Sequence, residues 1–161
     1  MGPQLGLAPV TVSGRLWIHQ LQLTVEDFIH EVHDIHHPIA SSLYYHDQKQ
    51  ESMRRAKIFT TVRAMQFLDY FENILQRNKS GKGYMIGRSL TYIDLSMFQL
   101  VSGLRYALPR MMSRVEKQIP GLVTLHGRIS QRSNIAAYLA SSRRIPFNED
   151  GIFRHYPELD R

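Results

Sequence analysis

The sequence predicts an all-α fold, a helical bundle of six or seven helices, and three observations carry that prediction. Apolar residues at Ile18, Leu21, Val25, Phe28, Val32, Ile35 and Ile39 alternate steps of three and four, one seam along a long front helix. GRSLTYIDLSMF (87 to 98) carries the chemistry of a helix start. No stretch alternates apolar and polar residues between turn signals, as a half-buried strand would.

In chain order, residues 1–12 hold Gly2, Pro3, Gly6 and Pro9 and read as an irregular arm; residues 13–161 form the helical domain. The front helix begins near Ser13 and kinks or ends at Pro38, which lacks a backbone donor and crowds the turn before it. A second run extends from about Asp47 to about Gln76, with Ala64, Leu68, Phe71 and Leu75 on its seam, and NKSGKG (78 to 83) is a turn. Thr91 and Asp94 then make a capping box, bracketed by Leu90 and Leu95, so a helix should begin at Tyr92 and stop near Ala107, before Pro109. Pro120 opens a further helix to about Ser130, and Ser133 caps a last one from Asn134 to about Ser142. Trp17, Phe28 and Phe98 read as core. The final stretch should wrap the bundle with Phe147, Ile152 and Phe153 as anchors, Arg143 and Arg144 complementing the preceding helix's dipole.

Composition narrows the function. At 161 residues, 43% hydrophobic and 21% charged, the chain is long enough to bury a core. The absence of cysteine excludes disulfides, thiolate metal sites and cysteine nucleophiles, and fits a cytoplasmic protein. No run is long and apolar enough for a membrane span. The 20 Lys and Arg give a formal charge of +6 but are scattered, which argues against a nucleic-acid stripe and favours small anionic molecules.

Residues 30 to 40, HEVHDIHHPIA, invite a metal. The zinc-protease pattern needs a second histidine at position 34, which is Asp34. At about 100° per residue, Glu26, His30, His33 and His37 fall within a ~60° arc of one helix. His30 and His37 are nonetheless separated by about 10.5 Å of helical rise. Only the His30/His33 or His33/His37 pair could share one ion, no second cluster completes a site, and no resident metal is expected.

GYMIGRSLTYIDLSMF resembles the loop and capped central helix of the all-helical C-terminal domain of soluble glutathione S-transferases. IPGLVTLHGRISQRSNIAAYLASSRRIPFN is similar to that family's closing helices, and QLQLTVEDFIHEVHDIHHPI with LYYHDQK to the long first helix of that domain in a bacterial and fungal branch related to the sigma and alpha classes. The resemblance implies glutathione as co-substrate rather than a cofactor, hydrophobic small molecules as electrophiles, a role in detoxification, and a homodimer or other protein partner. VEDFIHE places Asp27 where the family's aspartate meets the amino group of the partner's glutathione; a solvated helix aspartate is the alternative. His33, His36 and His37 would line the electrophile pocket, or merely face solvent. Thr91 and Asp94 are structural N-capping residues.

The family's thioredoxin-like domain, which binds glutathione and activates its thiol, has no counterpart in these residues, and no catalytic residue can be assigned. The expectation is therefore the electrophile-pocket half of a conjugating enzyme, truncated and inactive alone. The alternative is a non-catalytic helical protein-interaction module.

Overall fold

A computed structural model describes residues 2–80 and 82–161. Among the described residues there are helices and no strands. Seven α segments form: α1 Val12–Asp34, α2 Lys49–Ile58, α3 Ala64–Arg77, α4 Tyr92–Ala107, α5 Pro109–Val115, α6 Pro120–Ser130 and α7 Ser133–Leu139. A π-helical turn, Phe59–Arg63, joins α2 to α3 in one continuous rod, so the bundle has six rods.

The front seam packs as the spacing predicts, with Ile18, Leu21, Val25, Phe28, Val32 and Ile35 buried. Thr11 starts α1 by accepting the Gly14 amide at 3.1 Å. The helix ends at Asp34, a full turn before Pro38, because the proline lacks an amide and its ring clashes with the carbonyl four residues back, that of Asp34. Ile39 therefore leaves the seam and stands 58% exposed. Trp17 also departs from the expected core, at 38% exposed, lining a surface groove with Tyr70, Ile74 and Met85.

Helix α4 is the centre of the bundle, packing against both α1 and α6. Ile93, Met97, Leu100, Val101 and Leu104 bury more than one of its faces, the mark of an interior helix. Phe28 stacks on Phe67 with ring centroids 4.5 Å apart, tying α1 to α3.

Buried carboxylates anchor three of the joints. Asp94 accepts the amides of Met85 and Thr91, each at 2.7 Å, and the Thr91 hydroxyl at 2.8 Å, so the capping box also pins the preceding loop. Pro120 opens α6 without an N–H of its own, and the next two amides, Gly121 and Leu122, donate to Glu72 on α3 at 2.9 and 2.8 Å. Pro109 opens α5 in the same way, with Arg110 and Met111 donating to Asp160 at 2.6 and 2.8 Å. A carboxylate at a helix N-terminus satisfies orphan donors and opposes the positive end of the dipole.

Three expectations need correction here. Pro109 is a helix start as well as a stop, and α5 was not anticipated. Ser133 is the first residue of α7, not its cap; Arg132 takes that place with no side-chain bond, and the helix stops at Leu139. Arg143 and Arg144 consequently lie beyond its last turn.

The closing segment wraps the bundle with one 3₁₀ turn, Pro157–Leu159. Phe153 is its buried anchor, its ring lying directly on Gly103 of α4, where any Cβ would collide with it. Phe147 packs partly against the core, whereas Ile152 is 43% exposed and anchors through its carbonyl instead.

Candidate functional site

The candidate residues lie along the outer side of α1 and the turn after it. Carboxylates on this helix divide into engaged and free. Glu31 is engaged by Arg63 in a bidentate pair, with Nε 3.1 Å from both oxygens and Nη2 2.5 Å from one, while the same guanidinium lies over the Phe67 ring. Asp34 sits 3.5 Å from His33 and 3.8 Å from Arg55. Asp27, one turn before Glu31, is exposed. Among the described residues its carboxylate makes no hydrogen bond within the chain and no ion pair.

The chain's turn at Pro38 gathers three imidazoles. His33 stacks on His37 at 5.0 Å between centroids, and His36 meets both edge-on, at 5.2 Å from His33 and 4.8 Å from His37. His30, by contrast, is exposed on the helix. His36 is fully buried, and its Nε2 lies 2.8 Å from the Ile152 carbonyl. A carbonyl only accepts, so Nε2 carries the proton and the unprotonated Nδ1 accepts from His37 Nδ1–H at 2.5 Å.

Burial pulls the His36 pKa down to about 4, helped by the nearby Arg154, His37 and His33 charges and opposed by the Ile152 bond. The His37 pKa is lowered too, by burial first, then by Arg154 and His33. His36 is therefore an uncharged imidazole at neutral pH, and His37 is biased the same way. His33 and His37 keep exposed surface; His36 is turned inward and fastens the closing segment. Among the described residues no group of three or more His, Cys, Asp or Glu has the geometry to hold a metal ion.

A polar cluster that the sequence reading missed lies between α4 and α6. Arg105 donates to His126 Nδ1 at 2.9 Å and to Glu116 at 2.6 Å, and His126 Nε2 lies 2.9 Å from the Ser102 hydroxyl. That hydroxyl already donates to the Phe98 carbonyl at 2.8 Å. His126 must therefore carry its proton on Nε2, pointing at the serine, which is the wrong tautomer for a base that activates a nucleophile. Burial, then Arg105, depresses its pKa to about 4. Its four members come from positions 102, 105, 116 and 126 and share no local motif, so only tertiary packing reveals them.

Comparison with known proteins decides the family. A model described as "Glutathione S-transferase, C-terminal domain" matches residues 33–142. The chain belongs to that family. Glutathione S-transferase P 1 of the toad Bufo bufo is 30% identical over 86 residues, which are 52% of this chain and 39% of the toad protein. A monomeric glutathione S-transferase of the hookworm Necator americanus superposes with a TM-score of 0.63 at 16% identity, over 91% of this chain and 66% of the other. A major nematode-specific glutathione S-transferase of C. elegans gives 0.61 at 18% identity, over 90% and 64%. At such identities the structural likeness is one of fold. The chain spans about two-fifths of the curated relative's length and about two-thirds of the solved ones. Among the described residues the glutathione S-transferase resemblance is confined to the helical domain, since no thioredoxin-like sheet is present.

Proposed function

We propose that this chain supplies the electrophile-pocket half of a cytoplasmic glutathione-conjugating enzyme. The observation that carries the reading is Asp27, a carboxylate left without a partner on α1 while its neighbour Glu31 is fully engaged. An ammonium group entering a half-buried site is stabilised by such a carboxylate, which assigns Asp27 to the α-amino group of glutathione held by a second subunit. His33 and His37 form one wall of the cleft for the hydrophobic co-substrate. Their stacked rings offer a flat face to apolar molecules, and burial biases His37 towards its neutral form. His36 keeps that wall in place. No side chain here activates the glutathione thiol, so the described helical domain alone is inactive and needs a thioredoxin-like half.

The test is a conjugation assay with glutathione and chlorodinitrobenzene, on the chain alone and joined to the thioredoxin-like domain of a family member. The chain alone should give no turnover; the joined protein should turn over, with its glutathione KM raised about tenfold by Asp27→Ala. Turnover by the chain alone, or an unchanged KM in the variant, defeats the reading.

A second reading, a non-catalytic interaction module, is favoured by one observation. Val12, Leu16 and Leu23 stand 64%, 66% and 52% exposed on one side of α1, a row of apolar side chains left to water. Sedimentation distinguishes the two: a stable dimer whose joined form stays inactive would favour the module.

A further inference from the structure

A slot of about 340 Å³ opens where α1 meets the end of α3 and the loop that follows it. Trp17 of α1, Tyr70 and Ile74 of α3, and Met85 and Ile86 of the loop make it apolar, and Arg77 joins the lining. The apolar surface is recessed: Met85 is 1% exposed, and Ile74 and Ile86 are half-buried against the core. Trp17 and Tyr70 keep 38% and 36% of their surface open to solvent. Tryptophan and tyrosine beside a recess are the side chains that most often anchor a protein partner.

The rim is cationic. Asn78 draws the loop closed, its side-chain amide donating to the Tyr84 and Gly87 carbonyls at 2.8 and 2.9 Å, and the Ser80 hydroxyl donates to Gly87 as well. Gly87 itself takes a left-handed conformation, at φ +62°, that few other residues would adopt there. The closure brings Lys79 and Arg88, the chain neighbours of Asn78 and Gly87, to the same rim as Arg77, the last residue of α3. All three cations are exposed, and among the described residues none of them forms an ion pair. No acidic side chain enters the lining, and residues 73–93 contain no Asp or Glu. Glu72 and Asp94, which flank that stretch, are buried and spent on backbone amides. An apolar recess therefore lies beside uncompensated positive charge.

We propose that this surface docks an acidic peptide segment of a protein partner, an apolar side chain entering the slot between Trp17 and Tyr70 and flanking carboxylates meeting Arg77, Lys79 and Arg88. The assignment rests on neither reading of the function given above, since it involves neither Asp27, the histidine wall nor the row of Val12, Leu16 and Leu23. A single small carboxylate would engage one of the three cations, whereas a run of carboxylates in an extended segment engages all of them. A bilayer surface takes up protruding apolar side chains, and here Ile74, Met85 and Ile86 lie in a recess. A nucleic acid would need the positive charge to continue as a stripe, and here it stays at one rim.

Trp17 is the only tryptophan, so its emission reports on the slot directly. The full chain is titrated with a labelled peptide of two leucines flanked on each side by three glutamates, reading peptide anisotropy together with Trp17 emission. The peptide should bind at one site, shift the emission to shorter wavelength, and weaken as salt is raised. Replacing its glutamates by lysines, or its leucines by serines, should weaken it at least about tenfold. Lys79→Gln/Arg88→Gln should weaken the acidic peptide about tenfold, each exposed charge contributing about threefold. Arg143→Gln/Arg144→Gln, which removes the same charge from exposed positions outside the lining, should leave binding unchanged. Circular dichroism and thermal midpoints of both variants should match the parent. Absence of binding, binding that leaves Trp17 emission unchanged, equal affinity for the three peptides, or equal losses in the two double variants would overturn the proposal. So would tighter binding to vesicles of phosphatidylserine and phosphatidylcholine, or to a short oligouridylate, than to the acidic peptide.

Discussion

Compare the carboxylates inside the bundle with Asp27 on the outer face of α1. Asp94, Glu72 and Asp160 are buried, and the oxygens of each are occupied by backbone amides, at a loop and at helix starts. Asp27 is exposed and, among the described residues, engaged by no hydrogen bond or ion pair. The difference teaches how to separate architecture from function when both use the same residue type. A carboxylate whose bonds are all made holds the fold; one left free on an ordered helix is available to a ligand.

The sharpest way to break that comparison is Asp94→Ala. Burial raises the Asp94 pKa despite the bonds from Met85 and Thr91, and in the variant three donors would lose their acceptor. The expected loss is about 4 kcal/mol, a fall of about 10 °C in thermal midpoint by calorimetry. Next comes Gly103→Ala, which sets a methyl group against the Phe153 ring and should cost about 2 kcal/mol in urea unfolding.

Histidines extend the contrast. His36 and His126 are neutral, with both ring nitrogens engaged and folded-state pKa values near 4, below the 6.5 of an unfolded histidine. Between those values the unfolded chain binds protons that the folded chain refuses. Stability must therefore fall as pH drops from about 6.5 towards about 4, by up to about 1.4 kcal/mol per pH unit for each ring. Unfolding curves between pH 7 and 4.5 should show this slope, and His126→Gln should make it shallower. The smallest effect is expected from Asp27→Ala, within about 0.5 kcal/mol of the parent in the same assay, since nothing in the fold depends on it.

What could be read from sequence alone followed the range of the forces. Helices α4 and α6 were legible to the residue, because Thr91–Asp94 and Pro120 are local signals. Helix α5 was not, since its stabilising partner Asp160 lies 50 positions away and Pro109 taken alone reads as a stop. The π turn has no local signature among Phe59–Arg63. The candidate residues of α1 and its turn were named from spacing and resemblance, but their division into half-buried His33 and His37 and buried His36 depends on Ile152, 116 positions on. The Ser102–His126–Arg105 cluster was invisible for the same reason.

Asp160 has a further consequence for how the molecule is made. On the ribosome α5 emerges 50 residues ahead of the carboxylate that quiets its first amides, and α4 emerges as far ahead of the Phe153 ring that covers Gly103. Until Phe153 and Asp160 arrive, the nascent bundle lacks the cover they give to Gly103 and to the first amides of α5. Pairing of Asp160 with the α5 amides and of Phe153 with Gly103 supplies that cover, so both contacts can form only after the segment that supplies them has been made.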